Sequence, residues 1–227
     1  MKILAFDTAL GACSAAMLDG DDVLARRFET MERGHAERLA PMVRELMQEA
    51  GLAFGAIDRI AVTIGPGTFT GQRVGYAFAR GLRLALKRPL IGVTTLAAMA
   101  RAAIAETGAR GAAVLHDARR GEVYASAMVG ASTLMPPRLT TIDEALQAIL
   151  EQIDTRNAPL AFAGTAGAPA AQKWRELGGA ATATDIYAPD AVWVGRLALD
   201  EPEPETVPGP LYLRPPDARL PAKGGSP

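Results

Sequence analysis

The sequence predicts a duplicated α/β fold of two lobes with a cleft between them, and three observations predict it. The chain repeats itself: Leu4-Ala5-Phe6-Asp7-Thr8-Ala9-Leu10-Gly11-Ala12-Cys13 aligns with Val114-Leu115-His116-Asp117-Ala118-Arg119-Arg120-Gly121-Glu122-Val123 at a constant offset of 110 positions, without a gap. The elements recur in one order, which is hairpin, helix, strand, glycine-rich turn and helix. The first of those turns, Gly65-Pro66-Gly67-Thr68-Phe69-Thr70-Gly71, leaves the apolar run Ile60–Ile64 and enters a helix-like run near Gln72. The expected division is a first lobe over 1–105 and a second over 106–200, its last helix packing back toward the first. A proline-rich tail covers 201–227.

The elements follow in order. Ile3 to Phe6 and Cys13 to Leu18 read as buried strands joined by a turn, a β-hairpin, with a third strand over Asp22 to Thr30. From His35 to Ala50 the apolar residues Leu39, Met42, Val43, Leu46 and Met47 recur at helical spacing, and Gly51 ends the helix. Ile60 to Ile64 is a strand and Gln72 to Lys87 a helix. Gly71, Gly75 and Ala79 form a small-residue stripe along it, which lets another helix approach closely; internal packing is the commoner use of such a stripe. Pro89 to Val93 is a strand, and Thr94 or Thr95 caps a helix through Ile104.

In the second half the helix is Ile142 to Ile153, opened by a capping box over Thr141-Ile142-Asp143-Glu144. Leu160 to Ala163 is a strand, Gly164–Gly167 a turn, and Ala170 to Leu177 and Ala191 to Leu199 are helices. Prolines then forbid helix through Pro210. Leu211-Tyr212-Leu213-Arg214 reads as an extended run docked on the body, and Pro215 to Pro227 as a mobile tail.

Composition narrows the function classes. At 227 residues, 49% apolar and 22% charged, the chain has the balance of an ordinary globular protein. A net charge of −1 argues against this chain alone gripping a nucleic-acid backbone. Cys13 is the one cysteine, which excludes an internal disulfide and a cysteine zinc cluster. His35 and His116 are the two histidines, too far apart for a helix-borne two-histidine metal site. The apolar run before Asp7 is too short for a signal peptide, and no segment has the length of a membrane span. The expectation is a cytoplasmic protein that meets no membrane.

The chemistry concentrates at the turns. Gly65 and Gly67 permit positive φ or close backbone approach, Pro66 fixes the turn, and the Thr68 and Thr70 hydroxyls can cap the first helical turn. The loop is therefore either a capped strand-to-helix turn or a surface facing an anion or a partner. It is not a Walker A loop, because no Gly-Lys-Ser/Thr triplet follows. In duplicated folds of this kind, hairpin turns can hold a nucleotide's phosphates and a metal. Asp7 and Asp117 would then be paired acids facing Mg²⁺, or else each satisfies the amides of its own turn. Thr8, Arg73, Arg119 and Glu122 complete the cleft candidates. No base, nucleophile and metal cluster assembles from the residues present, so no catalytic residue and no metal ligand is assigned.

Several of these stretches resemble the TsaB family, once called YeaZ. They are Ile3–Ala9 with Cys13-Ser14, then His35, Gly65–Gly71 with Arg73 and Gly75, and Gly92-Val93-Thr94-Thr95-Leu96. Asp117-Ala118-Arg119 with Gly121-Glu122-Val123-Tyr124, and Tyr212-Leu213-Arg214, complete the set. Gln72 stands where the family has an aliphatic residue, and 132–205 carries little family signal. The resemblance implies an actin-like, sugar-kinase-like (ribonuclease H-like) fold. It also implies a non-catalytic partner of TsaD in making N6-threonylcarbamoyladenosine at position 37 of tRNAs reading ANN codons. TsaE, an ATPase, would join the pair. ATP and metal would sit on those partners. This chain would need no cofactor of its own, although its cleft leaves room for weak nucleotide binding. An actin-like ATPase and a glycoprotease-like peptidase are the rival readings. The expected partner surface is the helix pair His35–Ala50 and Gln72–Lys87, through His35, Leu39, Met42, Val43, Leu46, Gly71, Gly75 and Ala79. Alone, the chain would form a homodimer by that surface and meet tRNA mainly through the complex.

Overall fold

In the computed structural model, which describes residues 1–130, 132–153 and 159–214, two five-stranded mixed sheets each carry helices on both faces. The first half runs β1 (Lys2–Asp7), β2 (Ala12–Asp19), β3 (Asp22–Thr30), α1 (His35–Glu49), β4 (Arg59–Gly65), α2 (Phe69–Leu86), β5 (Leu90–Thr94) and α3 (Thr95–Thr107). The second runs β6 (Gly111–Asp117), β7 (Val123–Val129), β8 (Ser132–Thr140), α4 (Ile142–Leu150), β9 (Leu160–Ala163), α5 (Gly167–Glu176), β10 (Ala181–Ala183) and α6 (Ala191–Asp200). The strand orders, β3-β2-β1-β4-β5 and β8-β7-β6-β9-β10, are the same order twice. In each sheet three strands meander antiparallel, and two more join parallel through a helical crossover, which is how parallel neighbours must connect.

Strand alternation assigns the faces. Leu4 and Phe6 of β1 meet Leu39, Met42 and Leu46 of α1 and Ala79 of α2. Ile3 and Ala5, on the other face, meet Val192, Val194 and Ala198 of α6. In the second sheet Ala113 and Leu115 meet α4 and α5, whereas Ala112 and Val114 meet Leu96, Met99 and Ala103 of α3. Each half's last helix thus lies on the other half's sheet, and the order of layers is α1/α2, first sheet, α6 and α3, second sheet, α4/α5.

Several elements differ from the sequence reading. α2 starts at Phe69, because the Thr68 hydroxyl caps it by accepting the Gly71 amide. α3 runs on to Thr107, where Gly108 takes the left-handed cap conformation. α4 stops at Leu150 and α5 spans Gly167–Glu176. The sequence reading lacks β8 and β10. β8 contains Pro136 and Pro137, which demote a strand on local signals but are tolerated at a sheet edge, where β8 lies. β10 is a three-residue strand at the opposite edge. The tail Pro215–Pro227 lies outside the described residues.

The repeat needs one correction. β2 and β7 keep the offset of 110 by their faces: Cys13, Ala15 and Met17 match Val123, Ala125 and Ala127. On β1 and β6 the offset is one less. Asp7 pairs across the hairpin with Ser14, and it is His116 that pairs with Tyr124. The second turn holds one more residue, and a one-residue slip moves a side chain to the opposite face. The counterpart of Asp7 is therefore His116, not Asp117.

Candidate functional site

The central loop folds down onto the first hairpin turn rather than out into a cleft. Ala9 carbonyl accepts the Thr68 amide at 2.8 Å, and the Thr8 hydroxyl donates to the Gly71 carbonyl at 2.7 Å. A Cβ on Gly67 would collide with the Ala9 carbonyl and one on Gly71 with the Thr8 carbonyl, so glycine is what allows this approach. Gly75 continues it, facing the Thr8 hydroxyl and Val62. Gly65 has φ 106, and the Gly65-Pro66 bond is cis. Gln72 is buried; its Nε2 donates to the Gly67 carbonyl at 3.0 Å, and its Oε1 has no partner among the described residues.

Asp7 lies beneath this loop with no exposed surface. Its Oδ1 accepts from the Ala9 amide at 3.0 Å and from the Thr63 hydroxyl, while Oδ2 has no partner among the described residues. Burial pushes its carboxyl up to about 7, against the opposing pull of those hydrogen bonds. Asp117 is exposed; its Oδ1 accepts the Arg119 amide at 2.8 Å, an ordinary turn bond. The two acids do not form a metal-facing pair, because one is sealed in and the other sits on the opposite face of its sheet. His116, in the place equivalent to Asp7, keeps a buried Nδ1 without a partner among the described residues, and burial holds it below the usual histidine range.

The second turn is engaged by the chain's own C-terminal segment. The Arg214 guanidinium donates to the Glu122 carboxylate at 2.6 Å and reaches the Arg119 carbonyl at 3.5 Å. Upstream, Leu211 donates its amide to the Ile64 carbonyl at 2.6 Å, and Pro208 lies against Gly92. Arg73 donates to the Tyr212 hydroxyl at 3.2 Å and stacks 3.7 Å over the Phe69 ring. Thr70 is exposed in the first turn of α2. The Ala9 amide donates to Asp7, the Thr68 amide to Ala9 and the Gly71 amide to Thr68, and Glu122 is paired with Arg214. Among the described residues no group of three or more His, Cys, Asp or Glu side chains is placed to hold a metal ion.

The helix-pair candidates are corrected in their faces. Leu39, Met42, Val43 and Leu46 are buried in the core beneath α1, although Leu39 also lines the outward groove between α1 and α2. Gly71, Gly75 and Ala79 are buried against β1, its turn and β4. The stripe lets α2 approach its own sheet. His35 Nε2 sits 3.1 Å from the Leu10 carbonyl and ties the start of α1 to the first turn. Arg38 pairs with both Glu29 of β3 and Glu45. What the two helices show outward is a groove of about 540 Å³ whose walls include Ala36, Ala40, Phe69, Arg73 and Ala77. Phe69 is 47% exposed, and Leu84, further along α2, 79%. The signal for this face was present as Ala36 and Ala40 one helical turn apart, but the apolar stripe on the opposite side is the stronger pattern.

The model of the TsaD family, described as tRNA N6-adenosine threonylcarbamoyltransferase, matches residues 24–184. The Escherichia coli K12 protein TsaB, a tRNA threonylcarbamoyladenosine biosynthesis protein, is 43% identical over 124 residues, 55% of this chain and 53% of that protein. A solved Pseudomonas aeruginosa protein, described as similar to the peptidase YeaZ, superposes with a TM-score of 0.75 at 32% identity, over 94% of this chain and 99% of that one. The chain belongs to the TsaB/YeaZ family. It spans about half the length of the curated relatives it matches. A ROK family protein from Streptococcus pneumoniae, 10% identical, superposes with a TM-score of 0.51 over 88% of this chain and 98% of its own, which places the TsaB/YeaZ fold among the sugar-kinase-like folds. No helix among the described residues is long and apolar enough to cross a membrane.

Proposed function

We propose that this chain is the non-catalytic, TsaD-binding subunit of the machinery that attaches a threonylcarbamoyl group to N6 of adenosine 37 in tRNAs reading ANN codons. The observation that carries the reading is the outward groove between α1 and α2, lined by Leu39, Val74 and Phe78 with exposed alanines beside them, on a member of the TsaB/YeaZ family. Small side chains let a partner's helices come close, and Phe69 and Leu84 offer apolar area to bury. TsaD, a related fold, docks there through its own equivalent helices, and TsaE joins that pair. Without TsaD, two copies of this chain meet through the same self-complementary face.

The turns support the non-catalytic reading. The buried Cys13 thiol is pushed up to about 12, and the Ser14 hydroxyl is held in the interior by the Pro189 carbonyl and the Ala191 amide, so neither is a ready nucleophile. His35 lacks a second histidine one turn on, where Leu39 is buried. ATP and metal belong to the partner subunits, the chain works in the cytoplasm, and tRNA is bound mainly through the complex, since this chain carries a net charge of −1. The test is a titration of the purified chain with TsaD, followed by a tRNA modification assay. Binding, with modification only when both are present, is the expected result. Peptide cleavage or ATP turnover by the chain alone would instead favour a glycoprotease-like peptidase or an actin-like ATPase.

A further inference from the structure

The C-terminal segment Val207–Arg214 makes contacts that neither the core nor the docking face requires on its own. It begins in the first half, where Val207 packs on the core beneath α1 and α2. It is fastened once by backbone, through Leu211 and Ile64, and Gly65 has no room for a side chain under the Leu211 carbonyl. It ends on the second half, where Arg214 holds Glu122. Between those two anchors Tyr212 stands beside the docking groove. Its ring centroid is 5.5 Å from that of Phe69, its hydroxyl accepts from Arg73, and it is 43% exposed.

We propose that Tyr212 is part of the docking face and that the Arg214–Glu122 pair is the latch that positions it, so that the second half's hairpin turn controls how well the first half binds its partner. This rests on the docking reading above. The physical reason is the state of Phe69. Its ring forms a wall of the groove, half exposed, clasped by Arg73 on one side and neighboured by Tyr212 on another. With Tyr212 in place the ring has few orientations to lose when a partner's apolar helix covers it, and preorganisation of that kind raises affinity without adding a contact. Tyr212 itself adds an aromatic surface with a polar tip, the side-chain type that interfaces favour. One backbone hydrogen bond at Leu211 and the exposed Arg73 bond hold Tyr212 from one side only, and the Arg214–Glu122 pair fixes the segment from the other. Arg214 is therefore a positioning residue that acts through Tyr212.

The experiment pairs hydrogen exchange on the free chain with partner titration. Arg214→Ala and Glu122→Gln should each speed exchange of the Leu211 amide and weaken TsaD binding five- to tenfold at unchanged melting temperature. Tyr212→Ala should weaken binding at least tenfold, and adding Arg214→Ala to it should cost nothing further, since the latch works only through that ring. Swapping the charges, Glu122→Arg with Arg214→Glu, should restore most of the affinity and the exchange protection. Unchanged Leu211 protection in Arg214→Ala would overturn the latch whether or not TsaD binds. Full affinity in Tyr212→Ala would remove the segment from the docking face. Failure of the wild-type chain to bind TsaD would count against the docking reading itself, and the exchange data would still decide the latch.

Discussion

The groove between α1 and α2 and the groove between α4 and α5 occupy the same place in the two halves, yet the second carries more charge: Leu146 and Leu177 share its walls with three charged side chains, where the first has Arg73 alone. The first holds about 540 Å³ between alanines and phenylalanines. The second holds about 360 Å³, and its walls carry Asp143, Gln147, Lys173 and Glu176, with Lys173 and Asp143 in an ion pair. Duplication supplied two copies of one architecture. The outward helix faces, which the core does not constrain, are where the two copies differ in charge.

Four experiments break or sharpen that contrast. The largest effect should come from the glycines that open α2 and α5. Gly71→Ala forces a Cβ into the Thr8 carbonyl and should cost about 3 kcal/mol of stability by denaturant unfolding, whereas Gly167→Ala, whose Cβ would meet Phe162 backbone at 3.2 Å, should cost about 1 kcal/mol. Next, Ala77→Glu should weaken TsaD binding and self-association about a hundredfold, because it places a charge in an apolar contact. Gln147→Arg in the matching groove should leave both unchanged. Equal effects would mean the two grooves are not functionally different.

Third comes the pair Asp7 and His116. The folded carboxyl of Asp7 is raised to about 7, so the folded chain holds a proton there that the unfolded chain releases near pH 4. The Asp7 contribution to stability is thus greatest below pH 4, falls by up to about 1.4 kcal/mol per pH unit as pH rises toward 7, and is constant above. His116, Glu29 and Glu45, held below their usual ranges, contribute in the opposite sense and lose stability as pH falls. Asp7→Asn should flatten that slope in thermal melts. A slope that persists would place the titrating group elsewhere. The smallest effect is at the starts of α1 and α4. Thr141→Ala should cost about 1 kcal/mol by removing the capping box. α1 starts at His35 behind Gly34 as its N-cap, which has no side-chain cap to lose.

Most of the fold was legible because its helices and central strands announce themselves by periodicity and capping. The amphipathic stripe of α1 and the capping box of α4 are examples. The edge strands were not, since β8 carries two prolines and β10 is too short to show a period. The repeat offered a route to β8: adding 110 to Asp22–Thr30 gives 132–140, the span observed. The site was read less well for two physical reasons. A gapless alignment cannot register one extra turn residue, so Asp117 stood in for His116. A small-residue stripe also says that something comes close without saying what. Beneath Gly71 and Gly75 it is the chain's own Thr8. Gln72, the departure from the family pattern, shows why one polar residue is tolerated there: its amide hydrogen-bonds back to the loop it follows.

The exchange of final helices between the halves has a consequence for how the chain comes to be folded. The inner face of the first sheet, with Ile3, Ala5, Ala61 and Ile91, is covered by α6, and Gly195 lets that helix lie close against Leu18. A growing polypeptide can cover that face only in part, through Ala98 of α3, until residue 200 has been made, although every strand of that sheet is complete by Thr94. Through synthesis of more than a hundred residues the first half therefore presents a partly uncovered apolar sheet, the kind of surface that recruits chaperones or aggregates. A chain cut between α3 and β6 would leave both pieces in that condition permanently, each deprived of one layer, and the two should become stable only when they are expressed together.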